Sequence, residues 1–208
     1  MTIVTKEPSL RHRKKAATRE IILRAAIDEF SAHGFEQPTI ERIAAKAGVG
    51  KGTVYNYFAT KEDILVAFMA EQEARVNARV GEFAERDEPL ARILSRLLRH
   101  QFRLKEPHLA FTRVLLAQLI QRGPDLQEYI ARMQESIDPA LTLLFTRLQD
   151  RRLVQPDVGV GALVERFKAL HFGLSCLWAM EGPPFRVAYR AVDYQTEMFA
   201  RAIERRAR

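Results

Sequence analysis

Residues 39–61, TIERIAAKAGVGKGTVYNYFATK, leave the chain few folding options. Ile40, Ile43, Ala44 and Ala47 fall at i, i+3, i+4 and i+7, one face of a short helix. Thr39 precedes that run, where a hydroxyl accepts from an unpaired amide of the first turn. Gly48 follows it, where a helix end calls for a residue tolerant of left-handed backbone. After Gly48-Val49-Gly50 a second helix is predicted over 51–58. With Gly50 as its cap, Val49 and Val54 take the N′ and N4 positions of a hydrophobic staple. Val54 and Phe58, four apart, point inward, which leaves Lys51, Gly52, Thr53, Tyr55, Asn56 and Tyr57 largely outside. A bracing helix, a tight turn and a second helix short enough for the major groove make a helix-turn-helix.

The outer face of the second helix suits DNA. Thr53 and Asn56 can exchange hydrogen bonds with base edges, while Lys51 and the hydroxyls of Tyr55 and Tyr57 can reach phosphate oxygens. Gly52 lets the backbone come close to the sugar-phosphate chain. Lys61 is expected in the first turn of the next helix, where a cation is disfavoured by roughly 0.3–1 kcal/mol unless a phosphate lies nearby. With Thr39 these residues form the candidate DNA-contacting set.

Flanking segments fit the same plan. A helix over 18–33 carries Ile22, Ala25, Ala26 and Phe30 on its buried stripe, and Gly34 ends it. Thr60-Lys61-Glu62-Asp63 reads as a capping box that opens a helix carrying Ile64, Leu65, Phe68 and Met69. Residues 1–16 are expected to be a mobile basic arm. Within them and just after, Arg11, Arg13, Lys14, Lys15 and Arg19 stand without an acid between them, either as a solvated tail or as an arm along DNA phosphates or in the minor groove.

The block Ile22, Ala25-Ala26, Phe30, Gly34-Phe35, Thr39, Ile43-Ala44, Ala47-Gly48-Val49, Lys51-Gly52-Thr53, Val54-Tyr55, Tyr57-Phe58 and Lys61-Glu62 resembles the N-terminal domain of the TetR (tetracycline repressor-like) transcriptional regulators. Where that family usually has Ser or Thr capping the recognition helix, this chain has Gly50, which offers no hydroxyl to a phosphate. The resemblance implies an all-α fold: an N-terminal three-helix DNA-binding domain followed by a helical effector-binding and dimerisation domain, about nine helices in total. The expected boundaries are 1–66 and 67–208.

The remaining sequence has no strand-like alternation. Glu88-Pro89 and Pro107 open helices, Pro124 suits the first turn of another, and Pro139 falls inside that one. Residues 152–157 read as a connector. Leu163, Phe167, Leu170, Leu174 and Leu177, then Ala188, Val192, Gln195, Phe199 and Ala202, follow the seam spacing of a packed helix pair. That pair closes the core of one subunit or contributes to a four-helix dimer interface; the resemblance implies the second, a homodimer through helices near 160–180 and 186–206. Two recognition helices would then stand about 34–36 Å apart.

A net charge of +7 favours a polyanionic partner. The single cysteine, Cys176, excludes an internal disulfide and suits a reducing cytosol. There is no apolar signal region and no apolar run of membrane-spanning length, so a cytoplasmic protein is expected. Gly48-Val49-Gly50-Lys51-Gly52-Thr53 fails as a phosphate-binding loop, because Gly52 follows Lys51 where Ser or Thr is needed and Ala45 stands where the first glycine belongs. With neither metal-ligand spacing nor a nucleophile elbow, no enzyme, metal or cofactor is expected.

The resemblance further implies an effector cavity in the larger domain. Candidate lining residues are Phe102, His108, Phe111, Met133, His171 and Trp178, suited to a small, mostly apolar ligand, though such residues at helical spacing are also ordinary core. The reading reached is a ligand-released repressor that binds a palindromic operator as a homodimer. The alternative is a helical ligand-binding or scaffolding dimer whose basic surface holds nucleic acid non-specifically.

Overall fold

The computed structural model describes residues 9–121 and 127–205, with side chains except at 73, 127–130 and 132–137. Pro124 and Leu126 therefore lie outside the described residues, as do the side chains of Ile130, Met133 and Ile137. Among the described residues the regular elements are all helices, with one isolated bridge between Val154 and Glu204. The chain divides into two compact units, Met1–Phe68 and Met69–Arg208.

In the first unit α1 spans Leu10–His33, α2 Ile40–Ala47 and α3 Lys51–Tyr55, and α4 (Lys61–Ala84) opens there and continues into the second unit. α1 starts well before the expected residue 18. Ser9 caps it by accepting from the His12 amide, and the Arg, Lys and Ala residues that follow are good helix formers, so nothing breaks the helix before Ile22. The expected arm is helical from Leu10 onward. Gly34 ends α1 with φ 76°, its amide donating to the Phe30 carbonyl. Ile22, Ala26, Phe30, Ile43, Val54, Phe58 and Ile64 are buried and form the core of this unit.

α1 and α2 are also clamped by charge. The buried Glu29 carboxylate accepts from Lys46 at 3.2 Å and pairs with Arg42, whose other nitrogen donates to His33 at 2.5 Å. Burial alone would raise the Glu29 pKa; the Lys46 hydrogen bond and the Arg42, Lys46 and His33 charges outweigh it and hold the group below the ordinary 4.5.

The second unit is built around α5 (Leu90–Lys105), where Leu90, Ile93, Leu94, Leu97, Leu98 and Phe102 are all wholly buried. A 3₁₀ turn, Glu106–His108, carries Pro107 in its first turn and leads to α6 (Leu109–Gln121). Then follow α7 (Gln127–Asp150), with Pro139 inside it, α8 (Val160–Glu181) and α9 (Arg186–Ile203). α5 packs against α9 and α8. Asp193 ties α5 to α9, accepting from the Ser95 hydroxyl at 2.6 Å and from Arg99 at 3.0 Å. α9 ends at Ile203 because the chain turns extended to pair Glu204 with Val154.

The seam residues correct one expectation. Leu163, Phe167, Leu174, Ala188 and Val192 are buried within the subunit, and Leu170, Leu177 and Phe199 pack partly buried against the same core. Gln195 and Ala202 are exposed, and the rest of that spacing records α8 packing on α9 in one chain. The faces turned outward are different: Val187, Tyr194 and Met198 on α9, and Phe172 and Met180 on α8, all large apolar side chains left exposed.

Candidate nucleic-acid interface

Local sequence sets the α2–α3 turn. The Thr39 hydroxyl accepts from the Arg42 amide at 3.2 Å, as expected for a cap. Gly48 takes the left-handed conformation (φ 66°, ψ 30°), and its amide and that of Val49 return to the carbonyls of Ala44 and Ala45. Gly50 caps α3 in extended conformation without a side-chain bond. α3 is shorter than the expected 51–58. Its regular part ends at Tyr55, yet the amides of Tyr57 and Phe58 both donate to the Val54 carbonyl at 2.9 Å, so the turn carries on to Phe58. Val54 and Phe58 are buried; Lys51, Gly52, Tyr55 and Asn56 are exposed, and Thr53 and Tyr57 are half-buried. Four residues of the candidate set thus stand on one open face, with Thr53 and Tyr57 at its margins. Thr39 is exposed at the head of α2.

Two lysines behave differently from their sequence reading. Lys61 donates to the carbonyls of Phe35 at 2.8 Å and Glu36 at 3.1 Å and sits 4.8 Å from the Phe35 ring centroid. The cation in the first turn of α4 is therefore accounted for by the end of the α1–α2 loop, and no phosphate is needed to explain it. Opening α4, the Thr60 amide donates to Asp63 at 3.0 Å and the Asp63 amide to Thr60 at 3.1 Å, the reciprocal capping box expected there.

Lys51 pairs with Glu41, in the first turn of α2, and lies 5.8 Å from the Tyr55 ring centroid. The Lys51 hydrogen bond, with help from the Glu41 backbone and Thr39, pulls the Glu41 pKa down to about 2. In the free protein the Glu41 carboxylate thus already neutralises the Lys51 ammonium. A Glu41→Gln variant should bind any duplex about two- to fivefold more tightly, since an exposed ion pair no longer competes. Its log-log salt dependence should steepen by about 0.9 per subunit, measured by fluorescence anisotropy across a salt series.

Sequence reasoning missed Glu41, and it read Arg19 as part of the basic arm without its seat against Phe58. Arg19 lies over the Phe58 ring, 5.2 Å from its centroid, beside the end of the recognition turn. Neither follows from a spacing rule, because each partner lies on a different helix.

In the second unit, three of the effector candidates come together. Phe102 stacks on His171 (5.8 Å between ring centroids) and on Trp178 (5.7 Å), and Trp178 stacks on Phe185 at 4.8 Å. His171 receives Lys105 at 3.3 Å; loss of water around the ring, then the Lys105 charge, push its pKa well below 6.5 and keep it neutral. His108 and Phe111 are carried by the 3₁₀ turn and by α6, the second fully buried. The Met133 side chain lies outside the described residues. Among the described residues the buried indole N–H of Trp178 has no partner, and neither have the side-chain oxygens of Gln72, Gln101 and Gln118. Among the described residues no cluster of potential metal ligands occurs, and no helix is long and apolar enough to cross a membrane.

Comparison with known proteins agrees with this architecture. A family model described as bacterial regulatory proteins, tetR family, matches residues 22–68. The HTH-type transcriptional regulator TcmR of Streptomyces glaucescens is 30% identical over 181 residues, 76% of each chain. The fatty acid metabolism regulator protein of Bacillus subtilis (strain 168) is 39% identical over 67 residues, 32% of this chain and 31% of that one. The crystal structure of FadR from Bacillus subtilis in complex with stearoyl-CoA superimposes with a TM-score of 0.72 at 20% identity, covering 87% of this chain and 97% of that one.

Proposed function

Because the chain belongs to the tetR family of bacterial regulatory proteins, which are DNA-binding transcriptional regulators, we propose that it is a homodimeric repressor, reading a palindromic operator and released from it by a small, mostly apolar effector. The observation that carries the DNA-reading part is α3 itself: Val54 and Phe58 anchor it, while Lys51, Gly52, Tyr55 and Asn56 stay open on its far side. In this reading Thr53 and Asn56 face base edges, and Lys51, Tyr55, Tyr57 and Thr39 face phosphates. Lys61 acts indirectly, by holding the loop that leads into α2.

Residues 1–66 serve as the DNA-binding domain and 67–208 as the effector-binding and dimerisation domain. One short helix touches few bases, and a two-fold pair doubles the number read. The exposed apolar stripe Val187, Tyr194 and Met198 on α9, with Phe172 and Met180 on α8, supports pairing through those helices. A long acyl chain would supply the apolar part, and a long-chain acyl-CoA, larger than that and charged at its coenzyme A end, is the second candidate. This rests on the fold shared with a regulator whose structure holds stearoyl-CoA, and on buried polar atoms without partners inside an apolar, aromatic core. Binding favours dimers whose two α3 helices are wrongly spaced for adjacent grooves.

Footprinting on DNA next to the gene, followed by titration of the protected duplex and a scrambled one at several salt concentrations, tests the reading. Repressor function requires a specificity ratio of about 10³ or more, and a ratio near one would mean non-specific binding. Stearoyl-CoA added to the complex should release the duplex. Within this assay Thr53→Ala should change which operator base is preferred, by about 1–3 kcal/mol, whereas Tyr57→Phe should weaken all duplexes alike.

A further inference from the structure

We propose that Glu29 is a positioning residue for operator reading: its buried carboxylate fixes where α2 lies on α1, and through α2 the direction in which α3 points. This rests on the DNA-reading function above. Glu29 stands in the buried stripe of α1, between Ala26 and Phe30, with 6% of its surface exposed. Its two oxygens take different donors. Oε1 accepts from Lys46 in the last turn of α2 at 3.2 Å, and Oε2 pairs with Arg42 in the first turn. Arg42 reaches on to His33 at the end of α1. Arg42 and Lys46 are four residues apart, about 6 Å along the helix axis. A single carboxylate that holds both cations therefore sets the height of α2 on α1 and its rotation at once. The apolar contacts do not do this alone. Ile40, Ile43 and Ala44 are the buried residues of α2, and burial of apolar surface has no preferred direction.

α3 depends on that placement. Val54 is the buried residue of its regular part, Phe58 follows inside just after it, and Gly50 gives it no side-chain cap. The turn before it is bonded back to α2, the amides of Gly48 and Val49 donating to the carbonyls of Ala45 and Ala44. A shift of α2 is thus passed on to Thr53 and Asn56. Stability alone gives little reason for a charge at position 29. Desolvation offsets most of the attraction in a buried ion pair, apolar replacements of like volume are often as stable or more so, and fixing a register is its best-attested use. By contrast Glu20 and Arg24, on the same helix, pair at 2.8 Å in open solvent and hold no second helix.

The test uses the full chain with Glu29→Met and Arg42→Met together, which leaves the net charge as it was and leaves Lys46 beside Asp28 at 3.7 Å. A control carries Glu20→Gln and Arg24→Gln, the exposed pair of the same helix. Melting temperature is measured for each protein, and affinity for operator and for scrambled duplex is measured from low to high salt. The clamp variant should melt at or above the temperature of the parent. Its operator-to-scrambled ratio should nevertheless fall about tenfold or more, the value of one good base contact, with the slope of log K against log salt unchanged. The control should keep the parent's ratio. An unchanged ratio in the clamp variant, or an equal fall in the control, would overturn the proposal. So would a lower melting temperature or a failure to fold, which would make the clamp a stabiliser. An equal loss on both duplexes, with a slope shallower by about 0.9 per subunit, would also overturn it, because Arg42 would then be a phosphate contact. A parent ratio near one would defeat the repressor reading itself, whereas a high parent ratio that the variant keeps would defeat only the role of Glu29.

Discussion

A Tyr194→Glu, Met198→Glu variant should sediment as a monomer and bind operator about 10³-fold more weakly than the parent, or worse. Both side chains stand on the outer face of α9, Tyr194 64% and Met198 48% exposed, four residues apart and in line with Val187. In a two-fold interface each face meets its own copy, so two substitutions place four carboxylates in the contact. Breaking the balance of a buried interface with an unpaired charge costs about 3–5 kcal/mol at a single site, enough to dissociate an ordinary dimer at micromolar concentration. A monomer carries one α3, reads one half-site, and keeps little more than non-specific affinity, which lies about 10³-fold or more below specific binding. The substituted positions face solvent in the single chain, so its thermal melting should hardly change. That separates loss of pairing from loss of fold. Analytical ultracentrifugation showing an intact dimer would move the interface elsewhere.

The helix-turn-helix was legible because its determinants are local. A hydroxyl cap at Thr39, a left-handed glycine at position 48, two inward residues four apart (Val54 in α3 and Phe58 in the turn after it) and the reciprocal bonds of Thr60 and Asp63 each act within one turn of chain. What could not be read locally depended on tertiary partners. Lys61 looked mismatched in its own helix, and only the fold brings the carbonyls of Phe35 and Glu36 within reach. The α8 and α9 seam was real as a packing pattern, but such spacing says that a helix pairs without saying with which neighbour. Leu163, Phe167 and Val192 were used up inside the subunit. Tyr194 and Met180 stay exposed on faces that the stronger pattern hides from a reading of the sequence. The α1 extension was missed for another reason. Basic residues read as solvated arm or as helix with equal ease, and the Ser9 cap decides between them.

Trp178 is where fold and effector response should separate. Its ring is fully buried and stacked between Phe102 and Phe185, with interplanar angles of 13° and 11°. Trp178→Ala should therefore cost about 3–5 kcal/mol, lowering the melting temperature of a domain this size by about 10 °C. Trp178→Phe should behave very differently. It keeps most of the stacking and removes an indole N–H that has no partner; an unsatisfied buried donor costs about 1–3 kcal/mol, so its loss offsets the smaller ring. Stability should stay within about 1.5 kcal/mol of the parent. If that N–H is left unpaired in order to donate to an acceptor on the effector, the same variant should need about three- to tenfold more stearoyl-CoA for half-release of operator, the value of one neutral hydrogen bond. Its DNA affinity without effector should be unchanged. A Trp178→Phe protein as stable as expected but as responsive as the parent would make Trp178 a packing residue alone, and would leave effector recognition to the other buried polar atoms, those of Gln72, Gln101 and Gln118.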